Sequence, residues 1–244
     1  MNVSLAYLLY RLAWGILDII YPPVCGGCGR LGSRWCQDCQ RNVQHLVEPV
    51  CEVCGISIDG LGLCADCQRL RPRYRILRSW SVFDDPVRNA LYKLKYSRDM
   101  ALGDALAAQL LDFVIGLKWP IEMIIPVPLG KKRSQERGYN QVSLIVRPLA
   151  LAAGMSFAFD GLARVRETRS QVGLTKKERC ANVDRAFQAQ GTRVNGRVVL
   201  LMDDVATTGS TLSSCAEALC AAGARDVFVL TVSRALAHHG LTGV

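Results

Sequence analysis

Residues 198–212 read VVLLMDDVATTGSTL, and this stretch narrows the fold more than any other. Five consecutive apolar residues, 198–202, suit a strand buried on both faces, the mark of a parallel sheet sandwiched between helices. Asp203 and Asp204 follow directly. Carboxylates at the carboxyl end of such a strand stand where open α/β sheets bind ligands, and they accept hydrogen bonds from vicinal hydroxyls such as a sugar diol. Ala206, Thr207, Thr208, Gly209, Ser210 and Thr211 then bring hydroxyls and a permissive backbone ahead of a helix expected over residues 212–222, which Gly223 stops. Free N–H groups and the positive end of the helix dipole make such a turn a cradle for phosphate.

A second constraint comes from the cysteines. Of 11 in the chain, eight fall in four CxxC pairs: Cys25 with Cys28, Cys36 with Cys39, Cys51 with Cys54, and Cys64 with Cys67. Each pair can offer two thiolates to a tetrahedral ion, and the sequence between pairs is too poor in apolar residues to fold without metal. Two structural zinc sites follow, with every ligand supplied by protein and no water activated. Loop-closure entropy favours local sets, Cys25, Cys28, Cys36 and Cys39 in one and Cys51, Cys54, Cys64 and Cys67 in the other, over a cross-braced arrangement. Redox dithiols or disulfides are the alternatives; a redox pair needs one CxxC next to a βαβ unit and does not explain four. Cys180, Cys215 and Cys220 stand apart, the last two as small hydrophobes of the helix after the phosphate turn.

The formal charge of +9 counts every cysteine as neutral. Eight thiolates and two zinc dications together contribute −4, which leaves about +5 in the metal-bound protein. Residues 1–72 hold six basic and six acidic side chains, so the whole excess lies beyond them, and an anionic partner is expected there. The expected division is an N-terminal helix over residues 1–22, a double zinc ribbon over 23–72 and an α/β domain over 73–244. Residues 3–20 are apolar, but Arg11 and Asp18 interrupt them, no basic residues precede them, and Pro22 and Pro23 end them. They read as an amphipathic helix, buried or facing a partner, with peripheral membrane contact the weaker reading. A cytoplasmic setting is expected, since closely spaced cysteines there bind metal.

In the α/β part, a strand is expected over residues 76–83, then a helix capped by Asp84 or Asp85 with Pro86 in its first turn. Val87, Leu91 and Leu94 recur at helical spacing and should face the core. Arg88, Lys93, Lys95 and Arg98 then form a basic surface with Tyr92 and Tyr96 among them, suited to the phosphates and bases of single-stranded DNA, or else simply a solvated charged face. A second helix is expected over 101–117, and the first strand of the parallel sheet over 121–128. Lys131, Lys132, Arg133 and Arg137 crowd a loop able to grip a diphosphate, and a helix should run over 141–153. A second strand is expected over 162–166. Residues 169–187, including Gln171, Arg179 and Asn182, are too polar for a core and read as a mobile loop closing over a reactive ligand. A last strand is expected over 226–232, and His238 and His239 fall in the tail.

The stretch over residues 203–211 resembles the phosphoribosyl pyrophosphate (PRPP) loop of type I phosphoribosyltransferases. That resemblance implies that Asp203 and Asp204 hold the ribose hydroxyls, that Ala206, Thr207, Thr208, Gly209, Ser210 and Thr211 hold the 5-phosphate, and that the basic loop meets the pyrophosphate of PRPP bound with Mg²⁺. Adding the cysteine pairs, PVP followed by RGYNQ, and the pattern Gln171, Leu174, Glu178, Arg179, Asn182, Phe187, the chain resembles the ComF family from about Cys25 to Arg234. One departure is Gly130, where relatives often carry a polar residue. The resemblance implies a type I phosphoribosyltransferase fold, a parallel twisted sheet with helices on both faces behind a small zinc ribbon, linked to uptake or use of external DNA and to other competence or DNA-uptake proteins. Two functions of different class remain. One is a Mg²⁺-dependent phosphoribosyltransferase passing the sugar to a nitrogen nucleophile; the other is a PRPP-binding protein whose basic surface handles single-stranded DNA. No set of residues reads as a pocket for an acceptor base.

Overall fold

The computed structural model describes residues 22–166 and 186–236. The helix expected over 3–20, Cys180, the residues Gln171, Arg179 and Asn182 and the two tail histidines lie outside these. Five strands form one parallel sheet: β1 (Leu77–Val82), β2 (Met123–Pro126), β3 (Ser156–Phe157), β6 (Val198–Ala206) and β7 (Asp226–Arg234), in the order β1-β7-β6-β2-β3. Every pairing within it is parallel. The strand over 121–128 is therefore not where the sheet begins in sequence, because β1 already pairs with β7 along its edge. Nor is the strand near residue 162 part of it. β4 (Leu162–Arg164) pairs antiparallel with β5 (Phe187–Ala189) in a separate two-stranded sheet.

Side chains alternate across β6, and the two cores record it. Val198, Leu200 and Met202 join the cluster formed with α3 (Val87–Tyr96), α4 (Leu102–Gly116) and α6 (Gln141–Ala153). Val199 and Leu201 join the opposite cluster, with β4, β5 and α8 (Ser210–Ala221). Covered on both faces, the strand has no polar side, which is why its sequence reads as an unbroken apolar run.

Close approaches between elements have local causes. Pro148 lies inside α6 and has no N–H to give the Leu144 carbonyl one turn earlier. At that carbonyl α4 comes nearest: a Cβ added to Gly103 would sit 2.6 Å from Leu144 O, so only glycine fits. Asn140 caps α6, its side chain accepting from Val142 N at 3.0 Å, and Gly154 ends it at φ 69°.

The ribbon wraps the exposed edge of β1. Leu77 N donates to Val53 O at 2.7 Å, Val82 N to Gln44 O at 2.8 Å, and His45 Nδ1 meets Trp80 O at 2.6 Å. An edge strand left open invites pairing with another chain, and here it is covered. Val43 enters one core cluster, while Cys51, Val53, Cys54 and Cys67 enter the other. The ribbon thus straddles the sheet edge and packs on both faces.

Candidate functional site

The four-cysteine sets form as local loop closure favours. Thiols of Cys25, Cys28, Cys36 and Cys39 lie within 4.8 Å of one another, as do those of Cys51, Cys54, Cys64 and Cys67. Backbone N–H groups are already aimed at sulfur, Cys39 N at Cys36 Sγ (3.4 Å) and Cys64 N at Cys51 Sγ (3.3 Å). Burial raises the Cys25 thiol, but N–H donors of Cys28 and Cys36 outweigh it and bring it down to about 6, whereas burial and the neighbouring thiols push Cys39 far up. Cys51 and Cys67 repeat the split. Four crowded thiols cannot all ionise beside one another without a cation, and a zinc ion with four thiolates is the group that this donor set fits. These are two structural zinc sites.

The acidic pair lies on the strand itself, not beyond it. β6 continues through Asp203 and Asp204 to Ala206, so alternation sends the two carboxyls to opposite faces of the sheet. Asp204, on the face of α3 and α6, is buried in a charge network. Its Oδ2 receives Lys95 Nζ at 3.0 Å and Gln141 Nε2 at 2.7 Å. Burial alone would raise this carboxyl, but the Lys95 charge and the Gln141 bond hold it below the usual range. Asp203 is half-buried on the other face, its Oδ1 accepting from Asp204 N at 2.9 Å. Burial, then the charge of Asp204, pushes Asp203 up.

Beyond Ala206 the chain makes the expected turn. Thr207 and Thr208 lead to Gly209, which takes φ 76° and caps α8, a helix of 12 residues beginning at Ser210 and Thr211. A Cβ on Gly209 would stand 3.0 Å from the hydroxyl of buried Tyr74, so close packing as well as backbone handedness calls for glycine. Thr208 Oγ1 lies 2.9 Å from Ser210 Oγ and also accepts from Ser210 N at 3.4 Å.

The basic segment after β2 is a helix and not a loop. α5 (Lys131–Arg137) runs between Gly130 and left-handed Gly138. Lys131, Lys132 and Arg133 are exposed on it, while Arg137 donates to Gln141 Oε1 at 2.8 Å and lies 5.0 Å over the Tyr96 ring. Six of its seven residues are good helix formers, a signal that the flanking glycines and the run of three basic residues obscure in the sequence.

Lys95 does not belong to an exposed basic surface. Only 6% of its side chain is accessible, against Asp204 at 9%. Lys93 is half-buried and donates to Cys25 O at 3.0 Å, Arg88 pairs with Asp85 at 3.1 Å, and Arg98 is exposed. Lys95 could have been placed from the sequence: Val87, Leu91 and Lys95 are spaced i, i+4, i+8, and two core residues on that line put the third on the buried stripe. Gln141 carried no comparable signal. On the outer side of α3, Tyr92 and Tyr96 are exposed and lie 5.5 Å apart.

Fold and site together define a parallel α/β domain, helices on both faces of its sheet, carrying two four-cysteine zinc sites. A double zinc ribbon domain is matched over residues 16–68. The DNA utilization protein YhgH of Salmonella typhimurium is 34% identical over 213 residues, 84% of this chain and 92% of that protein. Competence protein F of Haemophilus influenzae is 30% identical over 82% of this chain and 90% of its own, and competence protein ComFC of Bacillus subtilis is 25% identical over 77% and 78%. The chain belongs to the ComF family. Among solved structures it is similar to the allosteric regulatory enzyme of purine biosynthesis, at 21% identity over 54% of this chain and 26% of that one, with a TM-score of 0.38. No helix among the described residues is long and apolar enough to cross a membrane.

Proposed function

We propose that this protein binds PRPP with Mg²⁺ at the end of β6 and uses that site in handling DNA, in keeping with its similarity to the DNA utilization protein YhgH. The observation that supports it most is the sequence of parts along one strand: a carboxyl pair, a left-handed glycine, and the N-terminus of a long helix. Asp203 and Asp204 flank the strand end where a ribose diol would lie. The backbone from Ala206 to Thr211 opens toward a 5-phosphate, with the dipole of α8 behind it. Mg²⁺ would arrive on the diphosphate and shield its charge. Arg133 contributes positive potential at Asp203, and Arg137 at Asp204, so the basic helix α5 borders the same site.

Single-stranded DNA is proposed as the second ligand, on a surface different from the one read in the sequence. With Lys95 buried and Lys93 tied to the ribbon, the exposed aromatics Tyr92 and Tyr96 meet their cations from α5, through Arg137 above the Tyr96 ring. Stacking on such a ring contributes about 1–3 kcal/mol per base and tolerates any sequence. Salt titration of a labelled single strand, with and without PRPP, tests this. Tyr92→Ala with Tyr96→Ala is expected to weaken binding about tenfold or more while PRPP binding is unchanged. No binding to the wild type at low salt overturns the DNA reading. Pyrophosphate release from PRPP, Mg²⁺ and a panel of bases would move the protein from binder to transferase.

A further inference from the structure

We propose that Lys95 is the positioning residue of the acidic pair: from α3 it fixes Asp204 as a permanent, oriented anion, so that the two carboxyls present one charged and one adjustable acceptor to the sugar. This rests on the PRPP reading above. The geometry makes the two acids unequal. Asp204 Oδ2 is taken by two donors, Lys95 at 3.0 Å and Gln141 at 2.7 Å, leaving Oδ1 to point elsewhere. Among the described residues, Asp203 Oδ1 accepts from the next backbone N–H at 2.9 Å. One carboxylate is therefore clamped from two helices, while the other keeps its freedom on the opposite face.

The helix that carries the lysine is held from outside the sheet. Two residues before it, Lys93 donates to Cys25 O, and Asn89 on the same helix donates to Gly27 O at 3.2 Å. A Cβ on Gly26 would lie 2.5 Å from Leu102 Cδ2, and one on Gly27 2.6 Å from Pro86 Cβ, so the first zinc turn seats directly on the start of α3 and on α4. A long flexible side chain is costly to order, and seating α3 against a metal-held turn fixes the helix that carries Lys95 before ligand arrives. Truncating one partner of such a pair leaves the other an uncompensated buried charge, so the pair acts as a unit.

A pH profile separates positioning from scaffolding. The groups bearing on Asp204 are Lys95 from α3, Gln141 from α6, Arg137 from α5 and Asp203 beside it; Arg133 and Lys95 also bear on Asp203. Lys95→Met removes the nearest cation, so the Asp204 carboxyl should titrate upward, and PRPP-Mg²⁺ affinity should fall about tenfold for each unit by which that pKa passes the working pH. Carboxyl ¹³C NMR titration and PRPP calorimetry, both from pH 6 to 9, read the two effects. Wild type should keep Asp204 ionised throughout, Lys95→Met should lose affinity at pH 6 and regain it by pH 9, and Lys95→Arg should retain the wild-type profile. Lys95→Met paired with Asp204→Asn leaves no lone buried charge; it is the folding control and should bind weakly at every pH. An Asp204 titration unchanged in Lys95→Met, or an equal loss of affinity at all pH values, overturns the proposal. If the wild type binds no PRPP, the functional reading fails instead, and the NMR titration alone decides whether Lys95 sets the charge of Asp204.

Discussion

The two zinc turns are near copies with different surroundings. In both, the first cysteine's carbonyl accepts from a left-handed glycine, Gly29 N to Cys25 O and Gly55 N to Cys51 O, each at 2.9 Å. Each carries one bridge, Val24 with Leu31 and Val50 with Ser57, and each ends in a five-residue helix, Gln37–Arg41 or Ala65–Arg69. There the likeness stops. The first set buries Cys25 and Cys39 but leaves Cys28 exposed and Leu31 73% accessible. The second buries Cys51, Cys54 and Cys67 in the core beneath β6 and takes a hydrogen bond at 2.9 Å from buried Arg234 to Cys54 O. One local sequence pattern thus serves as an outer brace on one face of the sheet and as a wedge in the core of the other. Metal coordination fixes the turn, and the neighbours decide what the turn supports.

Removing a ligand from each copy should break the equivalence most visibly. A structural zinc site supplies on the order of 10 kcal/mol of folding energy in isolated fingers, so losing an ion matters wherever that energy is shared with a core. Cys54→Ser should drop bound zinc from two ions to one and lower the melting temperature of the whole domain. Cys28→Ser should drop the zinc equally but lower the main melting transition by less. Elemental analysis with calorimetric melting checks both, and equal thermal losses would show that the two turns are energetically alike.

The matched glycines give a smaller and cleaner contrast. Both have positive φ, so alanine at either costs about 1–2 kcal/mol in backbone strain. At Gly29 nothing lies within 4 Å of the added Cβ, whereas at Gly55 the Leu77 carbonyl oxygen lies 2.7 Å away and belongs to backbone that cannot step aside. Gly29→Ala should cost only the strain. Gly55→Ala should add about 1–3 kcal/mol of overpacking, as read by urea denaturation. Smaller still is the contrast between the cations tying each turn down. Arg234→Met, which strips a buried carbonyl of its donor, should cost about 1–3 kcal/mol, and Lys93→Met under about 1 kcal/mol because water reaches the half-buried Cys25 carbonyl contact.

Much of this was legible in the sequence. The helix over 141–153 matches α6 because Asn140 and Gly154 are strong local punctuation, and the cysteine sets follow from short loops. The start of β6 and the glycine-capped α8 follow from an apolar run meeting a turn. What could not be read was long-range. The apolar run gave no reason for the strand to continue through two aspartates; pairing with β7 as far as Ala206 and Arg234 carries it on. That extension splits the acidic pair between faces. Helical spacing puts Lys95 on the line of Val87 and Leu91, but not its partner: Asp204, 109 positions later, is what makes burial of a lysine tolerable. The edge role of residues 43–53 depends on β1, whose place at the end of the strand order no local pattern encodes.

The central claim, a PRPP site at the end of β6, is tested most directly by calorimetry of PRPP-Mg²⁺ against wild type and Asp203→Asn. Asp203 is the sounder probe of the pair. It is half-buried and held by one backbone N–H, so the amide should leave the fold intact, whereas Asp204→Asn would strand the Lys95 charge in the interior. Saturable binding to the wild type, lost or weakened at least about tenfold in Asp203→Asn with unchanged melting and two zinc ions retained, is the predicted result. Wild-type affinity in Asp203→Asn, or no binding to the wild type, would contradict it.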